Sequence, residues 1–422
     1  MNSRDTSLLL SAAGVGVAIG LALPSIVQRL RRSLPRRSSA SESASNSTDA
    51  VRSGLDDPAS IRIGRADLDG FLGRILQAVG CSPADAALVA NVLTYADARG
   101  IPSHGSNRCD TYANEISAGL VDVTARPKIA SRSGCCAVVD GGNGLGAVTS
   151  RLAMETALEL AEEHGVAVVA CRASNHYGAA GYWADRALKA GCIGMSFTNT
   201  SPFAVPTGGK TRAVGTNPFC FFAPAAGEDS FQLDMATTTV PIGKIEVMNR
   251  LGKEVPGGWG VDRDGNDCTD AAEICRFGGL YPLGGGEETA GYKGYGLGAF
   301  VEIMCSLLSG AAVGPEVSTW SVTRSGPLNY GHAFVVIDPA RFKEGFGERL
   351  GQYLTRMRGQ DGDVKVAGDP EKQFERDAAE RGIILHAPVA ASLKSLASKY
   401  NVEVPEALQS LDESKSRQSL YS

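Results

Sequence analysis

The sequence predicts an α/β fold that lacks the common dinucleotide-binding fingerprint. From about residue 150 onward, segments with helical periodicity alternate with short apolar strands. Glycine is abundant, with 51 residues, and clusters in loops between the apolar segments. The glycine cluster at residues 141–146 fails the GxGxxG spacing, and no acidic residue ends a strand about twenty residues later. A P-loop and a GxSxG nucleophile elbow are also absent from the sequence.

The first part of the folded chain, residues 61–119, is predicted to be helical. Three helices are expected, over residues 66–79, 82–99 and 106–118. Ser82 is a favourable N-cap for the second helix, because its side-chain oxygen can accept a hydrogen bond from the first turn. Gly119 is placed to end the third helix.

The middle of the chain is predicted to alternate between helices and strands. Helices are expected over residues 150–163, 181–190 and 241–249, and strands over residues 166–171, 193–197, 218–223 and 231–233. Residues 251–291 are rich in Gly, Pro and Asp, which predicts a long functional loop. An apolar helix buried on most sides is expected over residues 295–309, and a strand over 335–337. The remainder is predicted to be mostly helical, with a polar tail.

The N-terminal segment differs in composition from the rest of the chain. Leu8 to Val27 carries no charge and, at about 20 residues, could cross a bilayer as a helix. Five arginines follow within residues 29–37, so the positive-inside rule places the rest of the chain in the cytosol. We therefore expect a hydrophobic anchor and basic flank over residues 1–37, a flexible linker over 38–60, and a catalytic domain over 61–422. A cleaved mitochondrial presequence is the alternative.

Composition excludes several classes of function. The chain has 422 residues, 43% of them hydrophobic, which suffices for one large or two ordinary domains. Its net charge of −5 argues against a nucleic-acid partner. Ten cysteines are present without a CxxC pair, so neither a metal site nor a disulfide framework is predicted.

The most informative residue is His176. It follows the predicted strand at residues 166–171 and precedes a predicted helix, which places it at the edge of a sheet. Its neighbours at residues 178–181 are all Gly or Ala, and small side chains let a substrate and a planar ring approach the imidazole closely. Since histidine titrates near neutral pH, His176 is a candidate proton shuttle. A structural core histidine is the alternative.

Five short motifs occur in order along the chain. They are DARGIPSHGSNR at residues 97–108 with Tyr112 a turn later, NHYG at 175–178, GTNP at 215–218, DMAT at 234–237, and GYKGYG at 291–296. Together they resemble the type-2 malate/L-lactate dehydrogenase family, which includes ureidoglycolate and sulfolactate dehydrogenases and a cyclic imino-acid reductase. The resemblance covers about residues 61–420. It implies a mixed-sheet α/β fold distinct from the Rossmann fold, with helical N- and C-terminal parts, and a homodimer that uses NAD or NADP.

The resemblance also implies roles for individual residues. His176 corresponds to the family's general acid/base, and the substrate-binding set corresponds to Ser103, His104 and Arg108. The central cofactor-binding part would span about residues 125–340. The residues that fall where the family holds its nicotinamide cofactor are Thr200, Asp234, Met235, Ala236, Lys293, Gly368, Asp369 and Pro370.

The chemistry of these side chains is consistent with the implied roles. Oxidation of a 2-hydroxy acid needs a base for the hydroxyl proton, a cation for the carboxylate and a cofactor for the hydride. Arg108 offers a planar fork that suits a carboxylate, and Lys293 lies among glycines at a helix start, which suits a phosphate or ribose. The alternatives are a surface cation at Arg108, a structural hydrogen bond at His104, a turn-forming Asp234 and a solvated Lys293.

The sequence therefore predicts an oxidoreductase that transfers hydride between NAD(P) and a small 2-hydroxy acid such as malate or lactate. Two other functions are weighed against it. One is NAD(P)H-dependent reduction of a cyclic imino acid. The other is an inactive, membrane-tethered binding scaffold, against which the presence of His176, Arg108 and Lys293 argues.

Overall fold

A seven-stranded mixed sheet organises residues 60–321 and 323–409, the part of the chain that this computed structural model describes. The strands of the described part are β1 (Ile61–Ile63), β2 (Lys128–Ser133), β3 (Cys136–Asp140), β4 (Val166–Ser174), β5 (Ile193–Thr198), β6 (Phe219–Pro224), β7 (Ser230–Met235), β8 (Gly260–Val261), β9 (Gly279–Leu280), β10 (Tyr330–Ile337) and β11 (Ile383–Leu385). The α-helices are α1 (Arg65–Ala78), α2 (Pro83–Ala98), α3 (Arg108–Ser117), α4 (Gly146–His164), α5 (Ala180–Lys189), α6 (Ile242–Arg250), α7 (Ala271–Arg276), α8 (Tyr292–Glu302), α9 (Phe346–Arg358), α10 (Asp369–Arg381), α11 (Ala387–Tyr400) and α12 (Glu406–Gln409).

The main sheet has the strand order β2-β3-β4-β10-β5-β6-β7. Strands β3 and β4 pair in parallel, and the other neighbours in this sheet pair antiparallel. A parallel pair needs a long crossover connection, and helix α4 supplies it. Because β10 comes late in the sequence yet lies between β4 and β5, the centre of the sheet closes only when distant parts of the chain meet. The prediction of a mixed-sheet α/β fold is confirmed.

The N- and C-terminal parts of the described chain meet in a second, mainly helical region. Strand β1 pairs antiparallel with β11, which ties residues 61–63 to residues 383–385. Helices α1 and α2 pack against each other through a fully buried set that includes Leu68, Phe71 and Leu93. Ser82 caps α2, since its hydroxyl accepts a hydrogen bond of 3.2 Å from the backbone N–H of Asp85. The cap predicted for this helix is confirmed.

The helices and strands predicted between residues 150 and 250 are all present, with bounds that differ by a few residues. Strand β4 runs to Ser174, three residues beyond its predicted end, because its last residues still pair with β10 and β3. The sequence analysis missed β1, β2, β3 and β11. Every residue of β2 is exposed and most are polar, so this strand has no apolar alternation that could reveal it.

Two predictions about residues 251–309 need correction. The predicted long loop contains β8, α7 and β9, which enclose a small core around Ile245, Ile274 and Leu280. The apolar helix begins at Tyr292 and continues past Glu302 as a π-helical turn over Ile303–Leu307. It is not buried on most sides, because Tyr292, Ile303 and Leu307 are each at least half exposed. Its apolar composition therefore reflects an exposed surface as well as the core.

The predicted anchor over residues 1–37 and most of the predicted linker over 38–60 lie outside the described residues. Within residues 60–321 and 323–409, no helix combines the length and the apolar character that a bilayer crossing requires.

Helix α4 begins directly beneath the candidate proton shuttle, at Gly146. A Cβ atom at this position would overlap the backbone carbonyl oxygens of Asn175 and His176. Gly146→Ala must therefore push α4 away from the end of β4. We expect the free energy of unfolding to fall by roughly 1–3 kcal/mol, the usual cost of overpacking, and thermal denaturation should show a lower Tm.

Gly73→Ala, in the interior of α1, is the matched control. No atom lies within 4 Å of a Cβ added there, so it should stabilise the helix by roughly 0.5–1 kcal/mol. Equal Tm values for the two variants would show that Gly146 is not tightly packed against His176.

Candidate active site

His176 lies where the chain leaves β4 and turns towards α5. The turn depends on Gly178, which has φ +82° and whose added Cβ would overlap the Val92 side chain on α2. A left-handed backbone and a close approach both favour glycine. The imidazole is partly exposed, at the edge of the sheet as predicted.

The segment that carries Ser103, His104 and Arg108 faces His176 from the other side. Residues 102–104 form a 3₁₀ turn before α3 begins at Arg108. Arg108 Nε donates a hydrogen bond of 2.6 Å to the Ser103 carbonyl oxygen, and Ser103 Oγ lies 2.9 Å from His104 Nδ1. The centroids of the His104 and His176 rings are 5.5 Å apart. The structure thus brings the four residues together.

Asp97 at the end of α2 anchors this segment. Its carboxylate accepts a hydrogen bond of 2.8 Å from the backbone N–H of Ser106. Burial raises the pKa of Asp97 to about 7, while the hydrogen bonds from Ser106 lower it. The side chain of Asp97 also excludes any Cβ at residue 105, so Gly105 is required for the close contact.

Tyr112 on α3 connects the two segments. Its hydroxyl oxygen lies 2.6 Å from His176 Nδ1, and the backbone nitrogen of Gly178 lies 3.3 Å from the same Nδ1. A backbone N–H can only donate, so this contact favours the tautomer with Nδ1 as acceptor and the proton on Nε2. A hydroxyl can donate or accept, so Tyr112 can also bond to a protonated Nδ1. His176 can therefore change tautomer without losing this partner.

Three further residues at the site were missed by the sequence analysis: Trp320, Glu115 and Arg324. The Trp320 indole stacks on the His176 imidazole with centroids 4.3 Å apart and planes 16° apart. The Arg108 guanidinium lies 5.0 Å from the centroid of the Trp320 ring. Trp320 Nε1 donates a hydrogen bond of 2.9 Å to Glu115 Oε1, and Glu115 forms a buried ion pair with Arg324. One feature of the sequence could have indicated Trp320, because it is one of only three tryptophans and lies in a polar stretch.

The electrostatics of the site keep both histidines neutral near pH 7. Burial lowers the pKa of His176 well below 6.5, and neighbouring His104, Arg108 and His332 lower it further. Burial and Arg108 together lower the pKa of His104 to about 4. Burial raises the pKa of Tyr112 above its usual value, so its hydroxyl stays protonated. A neutral imidazole is the form that can accept a proton.

His332 supports the site from behind and has a structural role. It is fully buried in β10, and its two ring nitrogens each lie 2.8 Å from a hydroxyl, of Thr198 and of Ser174. Its ring stacks on Tyr177, the residue next to His176, with centroids 4.5 Å apart.

The residues expected to hold a cofactor lie on neighbouring elements beyond the sheet edge. Thr200 follows β5, and its hydroxyl accepts a hydrogen bond of 3.0 Å from the backbone N–H of Thr216. Asp234 lies near the end of β7 and accepts a hydrogen bond of 2.8 Å from the backbone N–H of Gly181, at the start of α5. Burial raises the pKa of Asp234 to about 6. Met235 and Ala236 follow it and are partly exposed.

Lys293 lies in the first turn of α8 and is exposed. Among the described residues it has no ion-pair partner. Its neighbour Gly294 packs tightly against the Leu283 backbone, and Leu283 in turn bonds to Thr237. This contact brings the start of α8 next to the end of β7.

Gly368, Asp369 and Pro370 form the start of α10. Gly368 has φ +96° and packs against Gln232 of β7. The Asp369 carboxylate is occupied by two hydrogen bonds from Arg358, of 2.7 and 2.9 Å. Arg358 also pairs with Asp229, so the Asp369 side chain is committed to this ion-pair network.

A side-chain hydrogen bond links the two groups of residues. Ser201, next to Thr200, donates from its hydroxyl to the carbonyl oxygen of Ser318, at 2.7 Å. Ser318 lies two residues before Trp320, which stacks on His176. The candidate cofactor set and the candidate catalytic set therefore share one edge of the sheet.

Comparison with known proteins gives consistent results. A family model described as malate/L-lactate dehydrogenase matches residues 63–394. The malate dehydrogenase of Pyrococcus horikoshii is 40% identical over 308 residues, which are 72% of this chain and 84% of that protein. Its solved structure superposes with a TM-score of 0.76, at 35% identity, covering 83% of this chain and 98% of that one.

Two other relatives carry different names. The NAD⁺-dependent ureidoglycolate dehydrogenase of Escherichia coli K12 is 33% identical over 339 residues, which are 76% of this chain and 92% of that protein. The structure of a Δ1-piperideine-2-carboxylate reductase from Pseudomonas syringae superposes with a TM-score of 0.72 at 27% identity, covering 80% of this chain and 99% of that one.

The predicted membrane localisation is wrong. It rests on residues 8–27, which lie outside the family match over residues 63–394.

Tyr112→Phe tests the hydrogen bond to His176 Nδ1. The variant keeps the ring but leaves a protonated Nδ1 without its partner. A net hydrogen bond contributes about 1 kcal/mol, so kcat for oxidation of a substrate alcohol should fall about 5- to 10-fold. The Kd of the cofactor, measured by fluorescence titration, should be unchanged.

Tyr95→Phe is the matched control for this variant. Tyr95 is a buried tyrosine on α2 whose hydroxyl has no partner among the described residues. Its loss should leave kcat unchanged. A similar loss of kcat in both variants would assign the effect to packing instead of the hydrogen bond.

Proposed function

Since the chain belongs to the malate/L-lactate dehydrogenase family, we propose that it transfers hydride between NAD or NADP and a small 2-hydroxy acid such as malate or lactate. One observation carries the proposal. A neutral imidazole, His176, and a guanidinium, Arg108, both lie against one indole, that of Trp320, at a sheet edge. This pairing offers a base and a carboxylate-binding cation against one aromatic side chain.

His176 is the proposed base for the substrate hydroxyl. Its Nδ1 is held by Tyr112, whereas its Nε2 has no hydrogen-bond partner among the described residues. A substrate hydroxyl that donates to Nε2 selects the tautomer with the proton on Nδ1, and Tyr112 Oη then accepts from Nδ1. The proton moves to Nε2 as hydride leaves the substrate carbon. Arg108 and the partial burial keep the imidazole neutral before this step.

Arg108 is the proposed ligand of the substrate carboxylate. A planar guanidinium can form two parallel hydrogen bonds to a carboxylate. Its Nε is fixed by the Ser103 carbonyl oxygen, so the terminal nitrogens are oriented by the 3₁₀ turn. Ser103 and His104 would add hydroxyl and imidazole contacts from the same turn. A carboxylate bound to Arg108 would place the adjacent hydroxyl carbon near His176.

The residues present suit a nicotinamide dinucleotide. Lys293 is an exposed cation in the first turn of the 11-residue helix α8, where backbone N–H groups also favour a phosphate. Thr200, Asp234, Met235 and Ala236 would hold the rest of the cofactor, with backbone groups of residues 368–370 nearby. A nicotinamide held by these residues would supply the acceptor or donor of the hydride.

A second candidate function is the reduction of a cyclic imino acid. The specific observation in its favour is the similarity to the Δ1-piperideine-2-carboxylate reductase over 80% of this chain. The same Arg108 would bind the carboxylate of an imino acid. His176 would then supply a proton, which its lowered pKa makes less favourable at neutral pH.

We also propose that the protein is a homodimer that uses the exposed face of α8 and of the π-helical turn that follows it, Ile303–Leu307. Tyr292, Tyr295, Phe300, Ile303 and Leu307 recur at helical spacing and are 37–61% exposed. An apolar face of this extent on a helix next to the cofactor set is typical of an interface.

The proposed function is tested by absorbance at 340 nm with NAD or NADP and a panel of 2-hydroxy acids, and with the reduced cofactors and 2-oxo or cyclic imino acids. We expect oxidation of at least one 2-hydroxy acid. Because a positioned acid/base contributes roughly 10²–10⁴-fold, His176→Ala should lower kcat by about 10² or more. The rate of oxidation should persist as the pH falls below 6.5, since the pKa of His176 is lowered.

Arg108→Lys separates the substrate site from the cofactor site. Loss of the bidentate geometry should lower kcat/KM for the acid and leave cofactor binding unchanged. Turnover of a cyclic imino acid alone would favour the second candidate. Retention of most of the activity by His176→Ala would exclude this residue as the base.

Leu307→Asp tests the proposed dimer. A charge in the centre of an apolar interface should convert a dimer to a monomer in size-exclusion chromatography with light scattering. Phe342→Asp is the control, because Phe342 is 69% exposed and lies outside both α8 and the π-helical turn that follows it. A monomeric parent protein would contradict the proposal.

A further inference from the structure

Trp320 is the only large side chain among the described residues that contacts both His176 and Arg108 through ring stacking and cation–π geometry. Its plane is nearly parallel to the imidazole, at 16°, so the indole covers one face of His176. The guanidinium of Arg108 lies over the same indole, at 5.0 Å. One aromatic surface thus contacts the base and the cation of the proposed reaction.

The indole is fixed in this position by its own hydrogen bond. Trp320 Nε1 donates to Glu115 Oε1 at 2.9 Å, and Glu115 is nearly fully buried in α3. The other partner of Glu115 is the guanidinium of Arg324, whose side chain is 3% exposed. A buried carboxylate needs such a partner, since an unpaired charge in this environment is costly. Glu115 and Arg324 therefore form a charged tether for the indole.

Packing holds the remainder of the indole. Trp320 contacts the main core and a small cluster formed by Val317, Leu328 and Tyr330. Tyr330 begins β10, the central strand, and its hydroxyl lies 2.9 Å from Ser201 Oγ. The indole is therefore supported by the sheet that also carries His176.

We propose that Trp320 is a positioning residue of the active site, with Glu115 and Arg324 as its tether. The indole fixes the plane of the His176 ring, excludes water from one of its faces and sets Arg108 beside it. The inference rests on the proposed function in one respect, because it takes His176 as the proton-transferring group. It adds a role for three residues that the family resemblance did not suggest.

The pKa of His176 provides the measurement that tests the role of Trp320. The charged and titratable groups around it are His104, Arg108, Tyr112 and Glu115 on the facing segment, His332 on β10, and Arg324 on the Trp320 side. Removal of the indole admits water to the imidazole and leaves these groups in place. Hydration favours the charged form of histidine, so the pKa of His176 must rise.

The experiment compares Trp320→Ala with Trp320→Phe in the full chain. The pKa of His176 is measured by NMR titration of the histidine ring Cε1–H signals, without substrate or cofactor. His176→Asn identifies the signal among the five histidines. Trp259→Phe serves as the control, because Trp259 packs in the small core around Ile274, away from His176. The acid limb of kcat/KM for oxidation is recorded for the same variants.

We expect Trp320→Ala to raise the pKa of His176 by roughly one unit, the usual range of environmental shifts, and to move the acid limb of kcat/KM upward by the same amount. Trp320→Phe keeps a flat ring and should retain a pKa close to that of the parent. Phe cannot donate a hydrogen bond to Glu115. A parent-like pKa of His176 in Trp320→Phe would therefore show that the stacked ring itself keeps this pKa low. If Trp320→Ala does not fold, Trp320→Leu replaces it, because its smaller, non-planar side chain leaves part of the imidazole face open to water.

An unchanged pKa of His176 in the Ala or Leu variant would overturn the proposal, whatever the activity. A raised pKa in a protein that oxidises no 2-hydroxy acid would support the role of Trp320 and refute the proposed function. The two failures are therefore distinguishable. The Glu115→Met/Arg324→Met double variant tests the ion pair separately. A lower Tm with an unchanged pKa of His176 would show that the ion pair stabilises the fold and does not position the indole.

Discussion

A partly buried, neutral imidazole needs a hydrogen-bond partner on one ring nitrogen and access for substrate on the other, and this requirement shapes the site. Tyr112 and Gly178 satisfy Nδ1 of His176 from two different segments. The backbone of α4 approaches so closely beneath it that only glycine fits at residue 146. Trp320 closes one face of the ring. Each contact comes from a separate part of the chain, so the environment of His176 exists only in the folded protein.

Buried charges reinforce this arrangement. Glu115 and Arg324 pair beneath Trp320, and the buried Arg99, which follows α2, reaches the partly exposed Glu375 of α10 at 2.7 Å and also Gln232 of β7. Breaking such a pair is costly, because the remaining charge is left without a partner in a poorly hydrated place. These interactions therefore specify which segments lie together around the site. The contacts of Arg99 connect α10 and the end of α2 to β7 of the main sheet.

The absence of a Rossmann fingerprint has a structural counterpart. In the main sheet only β3 and β4 pair in parallel, so the described chain offers no series of parallel strands whose ends could form a crevice for a dinucleotide. The candidate cofactor residues instead lie at the end of β7, in the segments that follow β5 and β7, and at the starts of α8 and α10. Ion-pair and backbone contacts, such as Asp369 with Arg358 and Asp234 with Gly181, hold these loops.

Local sequence alone determined the α/β class, the helices with clear periodicity and caps, and the position of His176 at a strand-to-helix junction. These features depend on residues close together in the chain, such as Ser82 with Asp85. The family resemblance added Ser103, His104 and Arg108, and the fold places them beside His176. Only the tertiary structure determined that β10 enters between β4 and β5, that polar β2 is a strand, and that Trp320, Glu115 and Arg324 reach the site. Glu115 and Arg324 are about two hundred residues apart, and no local pattern or spacing rule links residues across such a distance.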